Sequence, residues 1–183
     1  MMVVLSLYLF SNLYARVIAD AHLFHAQALD VRTQWPATDA RLNKALSSLS
    51  GDSRTESVAG QIYASRFVST HDPQAYARSR ELLESSFNHN RFDRLRLVNI
   101  VALESAALEL GQIGTASDFA QAAINMLAAT DRDNPGFHEF KAKFFAAQGR
   151  FGEALAAIRE ARRLAPQDEG LRSREAEYAA RVK

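Results

Sequence analysis

The chain has 183 residues, enough for one helical domain or a short repeat array, and 48% of them are hydrophobic, ample for a continuous core. With 22 Lys and Arg against 21 Asp and Glu, the formal charge is +1, which gives no strong field for nucleic acid or an anionic membrane surface. There is no cysteine, so disulfide scaffolds, thiolate zinc sites and cysteine nucleophiles are excluded together.

The N-terminal run MMVVLSLYLFSNLYA carries no charge before Arg16. It is shorter than the about 20 apolar residues that a spanning helix needs, and no Lys or Arg precedes it as a cleaved signal peptide requires. Ala19-Asp20-Ala21 fits a cleavage pattern only nominally, because the helical pattern continues through it. Residues 1–19 therefore read as an apolar, membrane-associated helix, either the end of a transmembrane helix or an interfacial anchor, and a helix packed on the domain is the third alternative. Arg16, just after the run, favours a cytoplasmic domain under the positive-inside rule.

Beyond residue 20 no stretch alternates with period 2, and the pattern predicts an all-α chain. Helices are expected near 3–31, 38–49, 54–69, 73–88, 92–110, 115–129, 136–148, 151–164 and 169–182. Ser53 to Glu56 has the form of a capping box. Asp72 before Pro73 and Asn134 before Pro135 are N-caps with proline in the first turn. Thr115 is a further expected cap, with Asp118 complementing the helix dipole.

Many helices joined by short turns call for a test of internal repetition. Around Gly149 the sequence places Ala142 and Phe145 before the turn, then Phe151, Ala154, Ile158, Ala161 and Pro166 after it. Two antiparallel helices approach closely only where side chains are small, so the alanines allow contact while Phe145, Phe151 and Ile158 fill the space between. Pro166 ends the second helix. This order of small, aromatic, Gly, aromatic, Ala, large apolar, Ala and Pro resembles the tetratricopeptide repeat (TPR), with His138 where the usual tryptophan stands. A weaker unit surrounds Gly111, with Leu103, Ala107, Ile113, Ala116, Ala120 and Ala123, but with Glu104 where a small residue is usual. A third contains Gly60, Tyr63, Ser79, Leu83 and Ser86, and a degenerate fourth lies upstream of it.

The resemblance implies an all-α fold of antiparallel helix pairs, stacked as a short TPR-like right-handed superhelix and preceded by the apolar N-terminal helix. It divides the chain into the membrane-associated helix 1–19, repeats over 20–166 and a C-terminal capping helix over 167–183, whose Leu171, Glu175, Tyr178, Ala179 and Val182 share a face. It also implies a concave groove for a protein or peptide partner, lined by the first helix of each pair. The groove residues would be Arg54, Ser57 and Gln61 in one repeat, Ser105 and Glu109 in the next, and Glu139 and Lys143 in the last. Chaperone-binding TPR proteins clamp a terminal carboxylate with Lys and Asn, whereas the matching Ser57, Gln61, Ala102, Gly136 and Phe140 lack that set.

No catalytic constellation is visible. His22 and His25 stand three apart on one helix without a further fixed ligand, no histidine accompanies a serine in a strand–turn–helix context, and the glycines mark turns rather than a phosphate loop. No metal, cofactor or small-molecule substrate is inferred. The expected function is a non-catalytic, membrane-associated scaffold. The layout of an apolar start followed by Ala-rich repeats is also similar to the periplasmic tail of bacterial O-antigen ligase and polymerase membrane proteins. That likeness places the repeats on the periplasmic side of a bacterial inner membrane and supplies the alternative function, an accessory tail of such a glycosyltransferase.

Overall fold

The computed structural model describes the backbone of residues 2–91 and 93–182, and the side chains of residues 11–91 and 93–182. Among the described residues there is no strand, and the elements run α1 (Met2–Gln27), α2 (Trp35–Ser48), α3 (Ser53–Thr70), α4 (Pro73–His89), α5 (Arg94–Glu109), α6 (Asp118–Thr130), α7 (Pro135–Ala147), α8 (Phe151–Leu164) and α9 (Glu169–Arg181). They form two compact units, Met1–Arg91 and Phe92–Lys183. In the first, α1 pairs with α2 and α3 with α4, while α3 also touches α1 and α2. In the second, α5 pairs with α6 and α7 with α8, α5 touches α7, and α9 packs on α8.

The α7/α8 pair shows how the repeat pattern works. Ala142, Ala154 and Ala161 are wholly buried, and so is Ile158, and Phe145 is buried as well. Gly149 holds the turn at φ +72°, a left-handed conformation that glycine adopts without a Cβ penalty. In the α3/α4 pair the small residue is Gly60. A Cβ there would lie 2.9 Å from Leu83 Cγ, and the close approach lets Ser79 Oγ donate to the Gly60 carbonyl at 2.7 Å. Ser86 Oγ donates in the same way to the Ser53 carbonyl at 2.7 Å.

Several local expectations are corrected. The cap of α3 is Asp52, not Ser53: its carboxylate accepts from both the backbone N–H and the hydroxyl of Thr55, at 2.9 and 2.8 Å. A carboxylate at a helix N-terminus gains from the dipole as well as from the hydrogen bonds. The cap of α6 is Ser117 rather than Thr115, accepting from Ala120 N. α1 ends at Gln27 because Asp30 organises a turn, taking Arg32 N at 2.8 Å and the Thr33 hydroxyl at 2.9 Å. α2 starts earlier than expected, with Pro36 in its first turn. Asp72 and Asn134 cap α4 and α7 as the sequence predicts.

The side chains of Met1 to Phe10, on which the membrane-associated helix 1–19 chiefly rests, lie outside the described residues. From residue 11 onward α1 buries Ala19, Leu23 and Ala26. Among the described residues no helix is long and apolar enough to cross a membrane. At the other end, α9 buries Leu171 and Tyr178, but Ala179 and Val182 are exposed and Glu175 instead joins Arg159 and Arg162 of α8.

The seam of small residues makes a stability prediction. Ala154→Leu overfills a wholly buried site and is expected to cost about 1–3 kcal/mol, whereas Ala156→Leu on the exposed side of α8 changes stability by less than about 0.5 kcal/mol. Chemical denaturation of both variants checks this, and equal midpoints would contradict the assigned seam.

Candidate functional site

In the second unit, the end of α5, the last turns of α7, the start of α8 and the end of α9 surround a cavity of about 210 Å³. Its lining includes Glu109, Lys143, Ala146, Ala147, Phe151 and Tyr178. The two alanines leave the space that larger side chains would occupy, and the rings of Phe151 and Tyr178, with centroids 6.5 Å apart, give it an aromatic wall.

Charges of both signs edge the cavity. Glu139 accepts from Lys143 at 2.8 Å and from Arg174 of α9 at 2.7 Å. Arg181 lies 5.2 Å from the centroid of the Phe151 ring and 3.7 Å from Glu177. Burial raises the Tyr178 phenol above its ordinary value and the negative charges of Glu177, Glu139 and Glu109 add to this, opposed by Arg174. The phenol thus stays protonated at neutral pH. Chemically the arrangement can seat an apolar side chain and offer ionic partners at its edge.

Of the residues expected from sequence, the structure brings Glu109 and Lys143 to this cavity, with Glu139 at its edge. Ser105 is half-buried and turns its hydroxyl to the Val101 carbonyl at 2.8 Å. Arg54, Ser57 and Gln61 belong to the first unit, on α3. Arg54 is exposed and 3.8 Å from Asp20, while Ser57 and Gln61 are half-buried. Phe151, Arg174, Tyr178 and Arg181 join the site without having been expected there from sequence. The available signal was Tyr178 on the apolar face of α9, a position that packing alone also accounts for.

His22 accepts a 3.3 Å contact from Arg41, and partial burial, followed by the charges of Arg41 and Lys44, holds its pKa below the ordinary value. His25 stacks edge-on against Phe24. Among the described residues no group of three or more His, Cys, Asp or Glu is placed to hold a metal ion.

No protein-family model matches the sequence, and no curated protein is significantly similar to it. The fold is similar to a solved structure, the crystal structure of a thermophilic TPR protein of Thermus thermophilus. The two superpose with a TM-score of 0.57 over 92% of this chain and 94% of that chain, at 20% identity. Together with the packed helix pairs, this shows a TPR-like, all-helical fold. Nothing in these comparisons supports the likeness to O-antigen ligases or polymerases.

Proposed function

We propose that the chain is a non-catalytic scaffold that holds a protein or peptide partner on the faces of the first helices of its pairs. The observation that carries this is the cavity beside α5, α7 and α9, where an aromatic wall and two alanines lie within a border of mixed charge. Such a surface suits a segment that inserts one apolar residue and matches flanking charges. Arg54, Ser57 and Gln61 provide a second polar face, on α3.

The same proposal includes membrane association through the N-terminal helix, at a bacterial inner membrane with the repeats toward the periplasm. The membrane contact draws support from α1, where Leu13, Tyr14, Val17 and Phe24 are exposed while Ala19, Leu23 and Ala26 face inward; the periplasmic side rests on the layout of the sequence alone. Large apolar side chains are thus exposed on α1 beyond MMVVLSLYLF, interspersed with the exposed Arg16, His25 and Gln27.

Two outcomes are expected. A peptide selected from a display library on the immobilised full chain should lose about tenfold in affinity when Glu139→Lys and Lys143→Glu are combined, with helical circular dichroism unchanged. Reversing the exposed Glu169 and Arg172 pair should leave binding as it was. Equal binding by the wild type and the Glu139/Lys143 reversal would remove the site.

Deleting residues 1–15 should shift the protein from the membrane fraction to the soluble one and retain cooperative unfolding, because Ser11 to Tyr14 are exposed and Ala15 only half-buried. A full-length chain that stays soluble without detergent, beside a truncation that aggregates, would overturn the anchor.

A further inference from the structure

The first unit holds a cavity of about 360 Å³ that the peptide surface does not use. α2 contributes Asn43, Leu46 and Ser47, the α2–α3 turn contributes Ser50 and Gly51, and α3 contributes Glu56. α4 completes it with Arg78, Glu81, Leu82 and Ser85. Glu56 is 7% exposed. Its Oε1 accepts from the Ser85 hydroxyl at 3.0 Å, but Oε2, shut off from water, accepts no hydrogen bond. The nearest cationic group is the exposed His89 ring, 3.7 Å away and charged only if protonated.

A buried carboxylate oxygen without a donor is a costly arrangement. None of the lining's side chains donates to that oxygen, and several of their donors serve other groups. The Ser47 hydroxyl donates to the Lys44 carbonyl at 3.0 Å, the Asn43 amide donates to Asp39 at 3.0 Å, and Arg78 is paired with Glu81 at 2.7 Å. The lining holds the carboxylates of Glu56 and Glu81 against the single guanidinium of Arg78, which Glu81 pairs, so a net negative charge and the acceptors of Asn43, the hydroxyls and Glu56 remain toward a ligand. Leu46 and Leu82 supply an apolar wall beside them.

We propose that this cavity is a binding site for a primary alkylammonium group. Such a group brings three donors and no acceptor, which complements an acceptor-rich lining, and its alkyl stem lies along the two leucines. One unengaged carboxylate oxygen suits a compact point charge better than the planar fork of a guanidinium. Binding requires the Glu56 carboxyl to turn about its soft terminal torsion far enough to present an oxygen to the cavity it lines. The ammonium can be a lysine side chain of a partner or a free small amine.

Isothermal titration calorimetry of the full chain tests this with n-butylammonium chloride, N-acetyl-lysine N-methylamide and neutral n-butanol. Saturable binding of at least one ammonium is expected, none of n-butanol, and a loss of about tenfold or more in Glu56→Gln. Binding of the lysine amide alone assigns the site to a partner's lysine, binding of n-butylammonium alone assigns it to a free amine, and binding of both supports the site for either source. No saturable binding of either ammonium, or undiminished binding by Glu56→Gln, overturns the proposal. If Glu56→Gln does not fold, Ser47→Phe, on the exposed side of α2, closes the cavity from outside the core, and undiminished binding by that variant overturns the proposal equally.

Discussion

Two helices of a pair can come only as close as the side chains between them allow, and here a few positions set that limit. At Gly60 there is no room for a Cβ, because Leu83 Cγ would be 2.9 Å from it and Leu83 is itself buried. Ala142, Ala154 and Ala161 play the same part for α7 and α8 with no exposed surface at all. The close approach brings backbone carbonyls within reach of hydroxyls on the neighbouring helix, so Ser79 and Ser86 of α4 are satisfied by Gly60 and Ser53 of α3. Large residues such as Phe67, Phe144 and Ile158 then fill the space beside the seam without a remaining route to solvent.

Drawing these residues inward decides what the outer faces offer. Two buried glutamates illustrate the consequence, since both stand on the first helix of a pair. Glu104 takes the place of a small residue, and its carboxylate accepts from the backbone N–H of Ser117 at 2.9 Å, so it secures the entry to α6. Glu56 is held by one hydroxyl and keeps an oxygen without a donor beside a cavity. The same side chain is thus structural in one pair and a candidate ligand-binding group in the other, and the difference lies in whether a backbone N–H is at hand.

Much of the pairing was legible in the sequence, because small residues at helical spacing on both sides of a turn glycine mark where two helices must touch. Gly149 and Gly111 both sit at positive φ in the turns where the repeat pattern puts them. Less legible was anything decided by a competition among neighbours. Asp52, Ser53 and Glu56 all suit a helix start, and only the backbone geometry shows that Asp52 takes the cap and leaves Glu56 to Ser85. The candidate peptide site was half legible: the first-helix residues Glu109 and Lys143 are ones the TPR resemblance implies, while Phe151, Tyr178 and Arg181 enter through packing between elements that the pattern of one repeat does not describe.

The close approach of paired helices is tested most directly by Gly60→Ala, because two physical effects predict opposite signs for it. Helix propensity alone favours alanine by about 1 kcal/mol in a helix interior. The seam opposes it, since the added methyl would sit 2.9 Å from a buried Leu83 that cannot withdraw without disturbing its own packing. Chemical denaturation of the full chain should show Gly60→Ala less stable than the wild type. A more stable variant would mean that α3 and α4 are not held at the distance described, and that the small residues of this chain do not set its packing.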